Sequence, residues 1–293
     1  MKILLLGGSG QVGTELRQRL DGKSDLVCPG IGVQPRVNFT NGTELERLVA
    51  DVAPQVIINA AAYTAVDKAE SEQELANAVN AVAPGILAQS AAKIGAAMLH
   101  YSTDYVFDGS GHAPHTEKEV PHPLNHYGAS KLAGERQVSQ NVTRYLIFRT
   151  SWVYAPHGNN FLKTMLRLAS ERDSLNIVDD QIGAPTSAAL IADASLEALR
   201  KALAMNTDWG LYHLTATGSV SWYGFAQKIF YEALDKGLLT RAPDLHPIAS
   251  SSYPQAAKRP LNSRLDTTKF QNRFDVKLPP WERDIIAYFE QRP

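Results

Sequence analysis

Short runs rich in apolar residues at 2–6, 25–28, 55–59, 96–101 and 145–149 punctuate the first half of the chain. Such runs read as strands buried on both faces of a parallel sheet. Between them the apolar positions recur at helical spacing: Val12, Leu16 and Leu20, then residues 43–52, 69–95 and 125–140. Residues 69–95 read as one long alanine-rich helix. Glu70, Glu72 and Glu74 open it, and acids there suit the positive helix end, so they need no catalytic role. Strand and helix alternate up to about residue 150, which predicts an α/β, Rossmann-type, doubly wound parallel sheet. Beyond it the pattern breaks into polar and aromatic loops around Trp152, Tyr154, residues 158–161 and 179–186, with a closing helix from about Trp281. That half predicts a smaller α+β substrate-binding lobe. The expected division is a dinucleotide-binding domain over 1–150 and a mainly substrate-binding domain over 151–293. A helix from about Ser187 and a strand at 211–214 are candidates to rejoin the main sheet, so about 187–214 would return to the first domain.

The first strand runs into Gly7-Gly8-Ser9-Gly10-Gln11-Val12-Gly13 and then a helix. Strand, glycine turn and helix together make a dinucleotide-binding opening. The glycines let the backbone approach a pyrophosphate, which rests on the helix N-terminus. The competing reading is a purely structural tight turn. An NAD-preferring site places an acid at the end of the second strand; here Pro29-Gly30 follows Cys28, and Arg36 comes a little later. That leans toward NADPH, although Arg36 reads equally well as a solvated loop charge.

Two later strand ends carry candidate chemistry, since open α/β sheets bind ligands outside the carboxyl ends of their strands. One is the small-residue segment 60–67, and the other is Ser102-Thr103-Asp104-Tyr105. Alternation along a strand means that Ser102 and Thr103 cannot both face the crevice. On the helix at 125–140, Tyr127 and Lys131 stand four apart, on one face. Alone, such a pair is more often a solvated surface feature. Beside a dinucleotide turn it is a proton donor for a carbonyl oxygen: a free tyrosine titrates near ~10, and a neighbouring ammonium lowers that value.

Composition narrows the field. The 293 residues are 44% hydrophobic and 20% charged, with 29 Lys and Arg against 30 Asp and Glu. A net charge of -1 gives no basic stripe for nucleic acid. No run is long enough for a membrane span or signal peptide, and the one cysteine, Cys28, excludes a disulfide framework and fits a reducing cytoplasm. The histidines show no metal-ligand spacing.

Gly7-x-x-Gly10-x-x-Gly13, the hydroxyl-bearing strand end and Tyr127-x-x-x-Lys131 resemble the extended short-chain dehydrogenases/reductases. Residues 65–70, 101–107, 149–154, 158–161 and the stretch Asp180-Gln181-x-Gly183-Ala184-Pro185-Thr186 sharpen the likeness to members that reduce nucleotide-linked sugars. The resemblance implies NADPH, with NADH possible, and reduction of a C4 keto group on a nucleotide sugar destined for cell-surface polysaccharide. It makes Thr103, Tyr127 and Lys131 catalytic: Tyr127 donates the proton, Lys131 holds the nicotinamide ribose and lowers the tyrosine pKa, and Thr103 binds the keto oxygen. It places Gly7, Gly10, Gln11, Val12, Gly13, Asn38, Phe39, Ala62, Tyr63 and Thr64 at the cofactor, and Val66, Asp104, Tyr105 and Trp152 at the sugar nucleotide. Arg259 is a candidate for the pyrophosphate, with a surface ion pair as the equal alternative. Trp152 reads as a ligand-facing wall or as core. Glu15 matches a position where some relatives hold a bridging metal, but Ala189 stands where another ligand would be, so no metal is expected. Monomer and homodimer stay open. The alternatives are another nucleotide-sugar epimerase or dehydratase, and a non-catalytic subunit similar to the regulatory subunit of methionine adenosyltransferase.

Overall fold

The computed structural model describes residues 1–32 and 36–290. In chain order the first half contains β1 (Lys2–Leu6), α1 (Gln11–Leu20), β2 (Asp25–Val27), α2 (Gly42–Val52), β3 (Val56–Asn59), α3 (Gln73–Asn77), α4 (Ala83–Lys93), β4 (Ala97–Thr103), α5 (His126–Asn141) and β5 (Tyr145–Thr150). Then follow β6 (Val153–Tyr154), α6 (Phe161–Glu171), β7 (Ser174–Val178), β8 (Ile182–Gly183), β9 (Thr186–Ser187), α7 (Ala188–Met205), β10 (Gly210–His213), β11 (Val220–Ser221), α8 (Trp222–Asp235), β12 (Asp244–Ile248), α9 (Thr268–Phe274) and α10 (Trp281–Glu290).

The main sheet has six parallel strands in the order β10-β5-β4-β3-β1-β2. Side chains alternate across it. Ile3 and Leu5 pack with Val56, Ile58, Leu99 and Phe148 against α1 and α7, while Leu4 and Leu6 pack with Ile57, Met98 and Ile147 against α2, α4 and α5. Both faces are covered, which is why the strands read as apolar runs. β10 pairs with β5, Leu211 opposite Ile147, so the chain does return to this sheet after α7. The strand order reverses between β2-β1 and β3-β4, and the loops after β1 and β3 therefore open a crevice at that switch point.

The stretch expected as one helix over 69–95 is broken. Between α3 and α4 lies a π turn over Ala78–Val82. The wider turn carries Asn80, fully buried, out of the regular helical register. Its Oδ1 accepts from the Tyr63 amide at 2.8 Å, and its Nδ2 donates to the Tyr63 carbonyl and to Ser130 Oγ, each at 3.0 Å. One amide thus fixes the loop after β3 to helix α5.

The second half buries its own apolar cluster, with Leu162, Met165, Leu175, Ile177, Phe225, Ile229, Trp281, Ile285 and Phe289 at its centre. α6, α8 and α10 supply most of it, and the two-stranded parallel ribbon of β7 and β12 lies at its edge.

Candidate active site

The glycine turn is built by close approach. Gly7 has φ +79°, and a methyl group on Gly13 would meet the Gly7 carbonyl oxygen at 2.0 Å. The Gly10 amide donates to that same oxygen at 2.9 Å. Val12 packs on the core beneath. Gln11 reaches toward the second half: its Oε1 accepts from Asn160 Nδ2 at 2.9 Å, while Asn160 Oδ1 caps α6 through the Lys163 amide at 3.0 Å. The turn is thereby tied to the start of α6. Beside it lies a cavity of about 290 Å³ lined by Gly7, Gly8, Ser9, Pro29, Gly30, Arg36, Val37 and Phe39. Among the described residues no carboxylate lines it, and Arg36 lies beside Gly30. Phe39, expected at the cofactor, lines this cavity. Asn38, also expected there, has its Oδ1 accepting from both the amide and the hydroxyl of Thr40, at 3.0 and 2.8 Å, which folds the approach to α2.

Helix α5 is fixed at its start from several sides. Asn125 Oδ1 accepts from the Gly128 amide at 2.8 Å, the cap that a helix N-terminus requires. Asn125 Nδ2 donates to the Lys258 carbonyl at 2.8 Å, and Glu70 accepts from the His126 amide at 2.7 Å. Glu70 therefore serves the helix that carries the tyrosine, not the one that it was expected to open. Gly128 lies so close to the Tyr105 carbonyl that a methyl group would stand 2.1 Å from it. That approach sets the Tyr105 ring edge-on to Tyr127, with centroids 5.6 Å apart.

Along β4 and α5 the expected residues converge. The Thr103 hydroxyl is buried beside the Tyr127 hydroxyl. Ser102 turns the other way and donates to Glu135 at 2.5 Å, as strand alternation requires. Lys131 is 2% exposed, and its Nζ donates to the Tyr101 carbonyl at 2.6 Å. Electrostatics here differ from the sequence argument. Burial pushes Tyr127 up to about 12, against a hydrogen bond from Thr103 that lowers it. Burial lowers Lys131 to about 8. The ammonium is engaged at Tyr101, and desolvation, not cation proximity, dominates the phenol.

Asp104, expected at the sugar nucleotide, packs behind Thr103. It is 3% exposed and does not line the substrate-sized cavity. Burial raises its carboxyl to about 6, while the Ser263 and Thr103 hydroxyls pull it down. Thr103 Oγ1 donates to Asp104 Oδ1 at 3.1 Å and accepts from the Tyr105 amide at 3.2 Å. Asp104 orients the threonine from behind.

A larger cavity, about 710 Å³, opens next to Tyr105 between the two halves of the chain. Val66 and Tyr105 line one end, with Arg259 beside them, while Phe161, Gln181 and Trp222 form a wall and Arg172 lies farther along. Arg259 lines this cavity and also makes an ion pair. Its NH2 pairs with Asp67 at 2.6 Å, yet its side chain is only 12% exposed, and its NH1 is buried without a hydrogen-bond partner. Trp152 adopts φ +49° and stacks on Trp222, with centroids 3.5 Å apart and planes 8° from parallel. The indole that lines the cavity is Trp222, held by a 3.2 Å hydrogen bond from its Nε1 to Gln181, and the sequence reading missed it. Ala62, Tyr63 and Thr64 lie on the loop after β3, where Tyr63 spends its hydroxyl on Glu72 at 2.7 Å. Glu15 pairs with Arg19, and among the described residues no three His, Cys, Asp or Glu side chains gather to hold a metal ion. No helix among them is long and apolar enough to cross a membrane.

A glycine turn at the switch point of a parallel sheet, together with a Tyr-x-x-x-Lys pair on the helix packed against β4, marks an oxidoreductase of the extended short-chain dehydrogenase/reductase class. Comparison with known proteins narrows the class. The chain matches the RmlD substrate binding domain model over residues 1–292 and belongs to that family. It is 48% identical over 286 residues to dTDP-4-dehydrorhamnose reductase of Salmonella typhimurium strain LT2, covering 97% of this chain and 96% of that one. Among solved structures, the dTDP-4-dehydrorhamnose reductase of Bacillus anthracis strain Ames in complex with NADP superposes with a TM-score of 0.89 at 34% identity, over the full length of both chains. That of Clostridium acetobutylicum superposes with a TM-score of 0.91 at 35% identity, covering 99% of each.

Proposed function

We propose that this chain reduces the C4 keto group of dTDP-4-dehydro-L-rhamnose to give dTDP-L-rhamnose, with NADPH as reductant and NADH as a possible substitute. The observation that carries the reading is the meeting of Thr103, Tyr127 and Lys131 at the carboxyl end of β4, beside Tyr105, which lines the 710 Å³ cavity. The names of the relatives supply the substrate. The turn suits a dinucleotide: Gly7 and Gly13 pack against neighbouring backbone so closely that no side chain fits, which brings the start of α1 up against the end of β1, and the described residues lining the neighbouring cavity include an arginine and no acid. When bound, a reduced nicotinamide supplies the hydride.

The remaining steps fall to side chains. As the C4 carbon takes up a hydride, negative charge grows on its oxygen, and preorganised donors aimed there are usually the largest catalytic contribution. Tyr127 gives its proton to that oxygen. A phenol held at about 12 stays fully protonated at neutral pH, as a donor must. Lys131 holds the nicotinamide ribose and offsets charge on the phenolate that remains. Thr103 donates to the keto oxygen by turning its hydroxyl from Asp104. Arg259 takes the pyrophosphate, Val66 and Tyr105 flank the sugar, and Trp222 backed by Trp152 forms the wall. On this reading residues 1–150, with 187–214 returned to their sheet, are the cofactor domain, and most of the remainder is the substrate domain.

The test is absorbance at the reduced-nicotinamide band with dTDP-4-dehydro-L-rhamnose. Oxidation that requires both enzyme and sugar supports the reductase. An epimerase would consume no reductant, and a non-catalytic subunit would bind NADPH without oxidising it. Cofactor choice has its own test. Arg36→Ala should lower kcat/KM for NADPH about tenfold and leave NADH unchanged, the scale of one charged hydrogen bond at ~1.5 kcal/mol. Equal losses with both cofactors would make Arg36 a general loop contact.

A further inference from the structure

Beneath the catalytic pair lies a buried charge cluster with no role in the steps above. Tyr127, Lys131 and Glu135 follow one another at four-residue intervals on α5, so all three share a face. Each meets β4: Tyr127 at Thr103, Lys131 at the Tyr101 carbonyl, Glu135 at Ser102. Glu135 is 4% exposed, and both of its oxygens are occupied. Oε1 accepts from Ser102 Oγ at 2.5 Å and from Arg149 Nε at 2.8 Å, and Oε2 accepts from Arg149 NH2 at 2.6 Å. Arg149 comes from β5 and is itself 3% exposed, with its guanidinium 5.0 Å from the centre of the Phe107 ring.

We propose that Glu135 is a positioning residue for Lys131: clamped by Ser102 and Arg149, its carboxylate holds the neighbouring lysine as an ammonium at the catalytic crevice. The inference rests on the reading of Lys131 as the cation that binds the nicotinamide ribose. Burying an amine without a counter-charge favours its neutral form, and Lys131 is almost wholly buried. The titratable groups around it are few. On α5 these are Tyr127, protonated, and Glu135. On β4 they are His100, held neutral by its own burial and by the lysine, and Tyr101, whose hydroxyl burial pushes up. Arg149, from β5, lies across Glu135. Of these, Glu135 is the group that raises Lys131 against desolvation, and Arg149 is not among the charges that act on it. The arginine's work is to keep the carboxylate aimed, with one hydrogen bond to each of its oxygens.

The sign follows. Lys131, already lowered to about 8, loses its one upward influence when Glu135 is neutralised. The ammonium is present below its pKa and lost above it, so functions that need it fail at lower pH. The experiment measures the NADPH dissociation constant by fluorescence, and kcat, from about pH 6 to about pH 9.5, a range that brackets a perturbed lysine. In Glu135→Gln the pH above which binding weakens and kcat falls should move down by about one unit, the scale of one nearby charge. Glu135→Asp, which keeps the charge, should hold that limb close to the wild type even if melting is lower. The paired variant E135M/R149M, which removes both buried charges at matched volume and is the kind of replacement cores tolerate, should show the same downward movement and covers a Gln variant that does not fold. If Glu135 only rivets α5 to β5, the variants melt earlier and lose binding and rate by the same factor at every pH, and the proposal is overturned. Wild-type protein that binds NADPH but oxidises none with the sugar would refute the reductase reading alone, because the binding limb still reports on Lys131.

Discussion

Replacing Tyr127 by phenylalanine is expected to lower kcat about 10³-fold, within the span that a positioned general acid contributes, while the NADPH dissociation constant stays within about twofold. The substitution is unusually clean here. The ring sits edge-on to Tyr105, a contact that phenylalanine retains. The hydroxyl meets Thr103, whose own hydroxyl keeps Asp104 as acceptor and the Tyr105 amide as donor after the change. No buried partner is stranded, so folding should be little affected and the loss should fall on the chemical step. Single-turnover oxidation of NADPH with saturating sugar reads that step directly. Near-wild-type turnover would falsify the assignment of Tyr127 as the donor and direct attention to Asp104, the other acid beside Thr103.

What the sequence made legible is what local spacing encodes. The glycine turn and Tyr127 with Lys131 lie within single turns of chain, so their geometry follows from helix and strand periods alone. Strand alternation showed that Ser102 and Thr103 could not both face the crevice, the family resemblance chose Thr103, and neither said that Ser102 serves Glu135. The residues that escaped are joined across long separations. Trp222 reaches the cavity wall because α8 packs on α6, and nothing near it in the chain signals that. Asn80 shares its helical spacing with Gln73 and Asn77, so nothing in the sequence singled it out, and the π turn that lets it grip Tyr63 and Ser130 lies where α5 packs alongside. Asp104 and Asn38 were expected at the site from the family pattern, and spacing alone did not show that the Asp104 carboxylate would accept from Thr103 or that the Asn38 side chain would accept from Thr40. The expectation for the Tyr127 pKa failed for a different reason. Spacing shows that a cation is near, but not that the pocket is dry enough for desolvation to win.

Arg259 lies in the half of the chain where the sequence says least, and its substitution carries the second large effect. Arg259→Met should raise KM for the dTDP-sugar between about 10-fold and 100-fold, from hydrogen bonds to a charged group worth ~1.5–3 kcal/mol. The NADPH dissociation constant should be unchanged, because the side chain lines the 710 Å³ cavity and not the glycine cradle. The structure explains why an existing ion pair does not exhaust this residue. NH2 is taken by Asp67 and Nε by Gln255 at 3.2 Å, and the guanidinium carbon stands 5.8 Å from the centre of the Tyr105 ring. NH1 is the donor left over, buried with no acceptor of its own. A buried donor without a partner is costly unless a ligand supplies one, and a pyrophosphate in the cavity would do so. Asp67 is half-exposed in its side chain at 45%, so water can take over its solvation in the variant and stability should change little. Arg259→Lys keeps the charge but loses the planar fork, so an intermediate KM is the expected result if geometry as well as charge is read. An unchanged KM in the Met variant would reduce Arg259 to the partner of Asp67, tying the 255–259 loop to the one after β3, and would leave Arg172 as the remaining cation lining the cavity for the nucleotide.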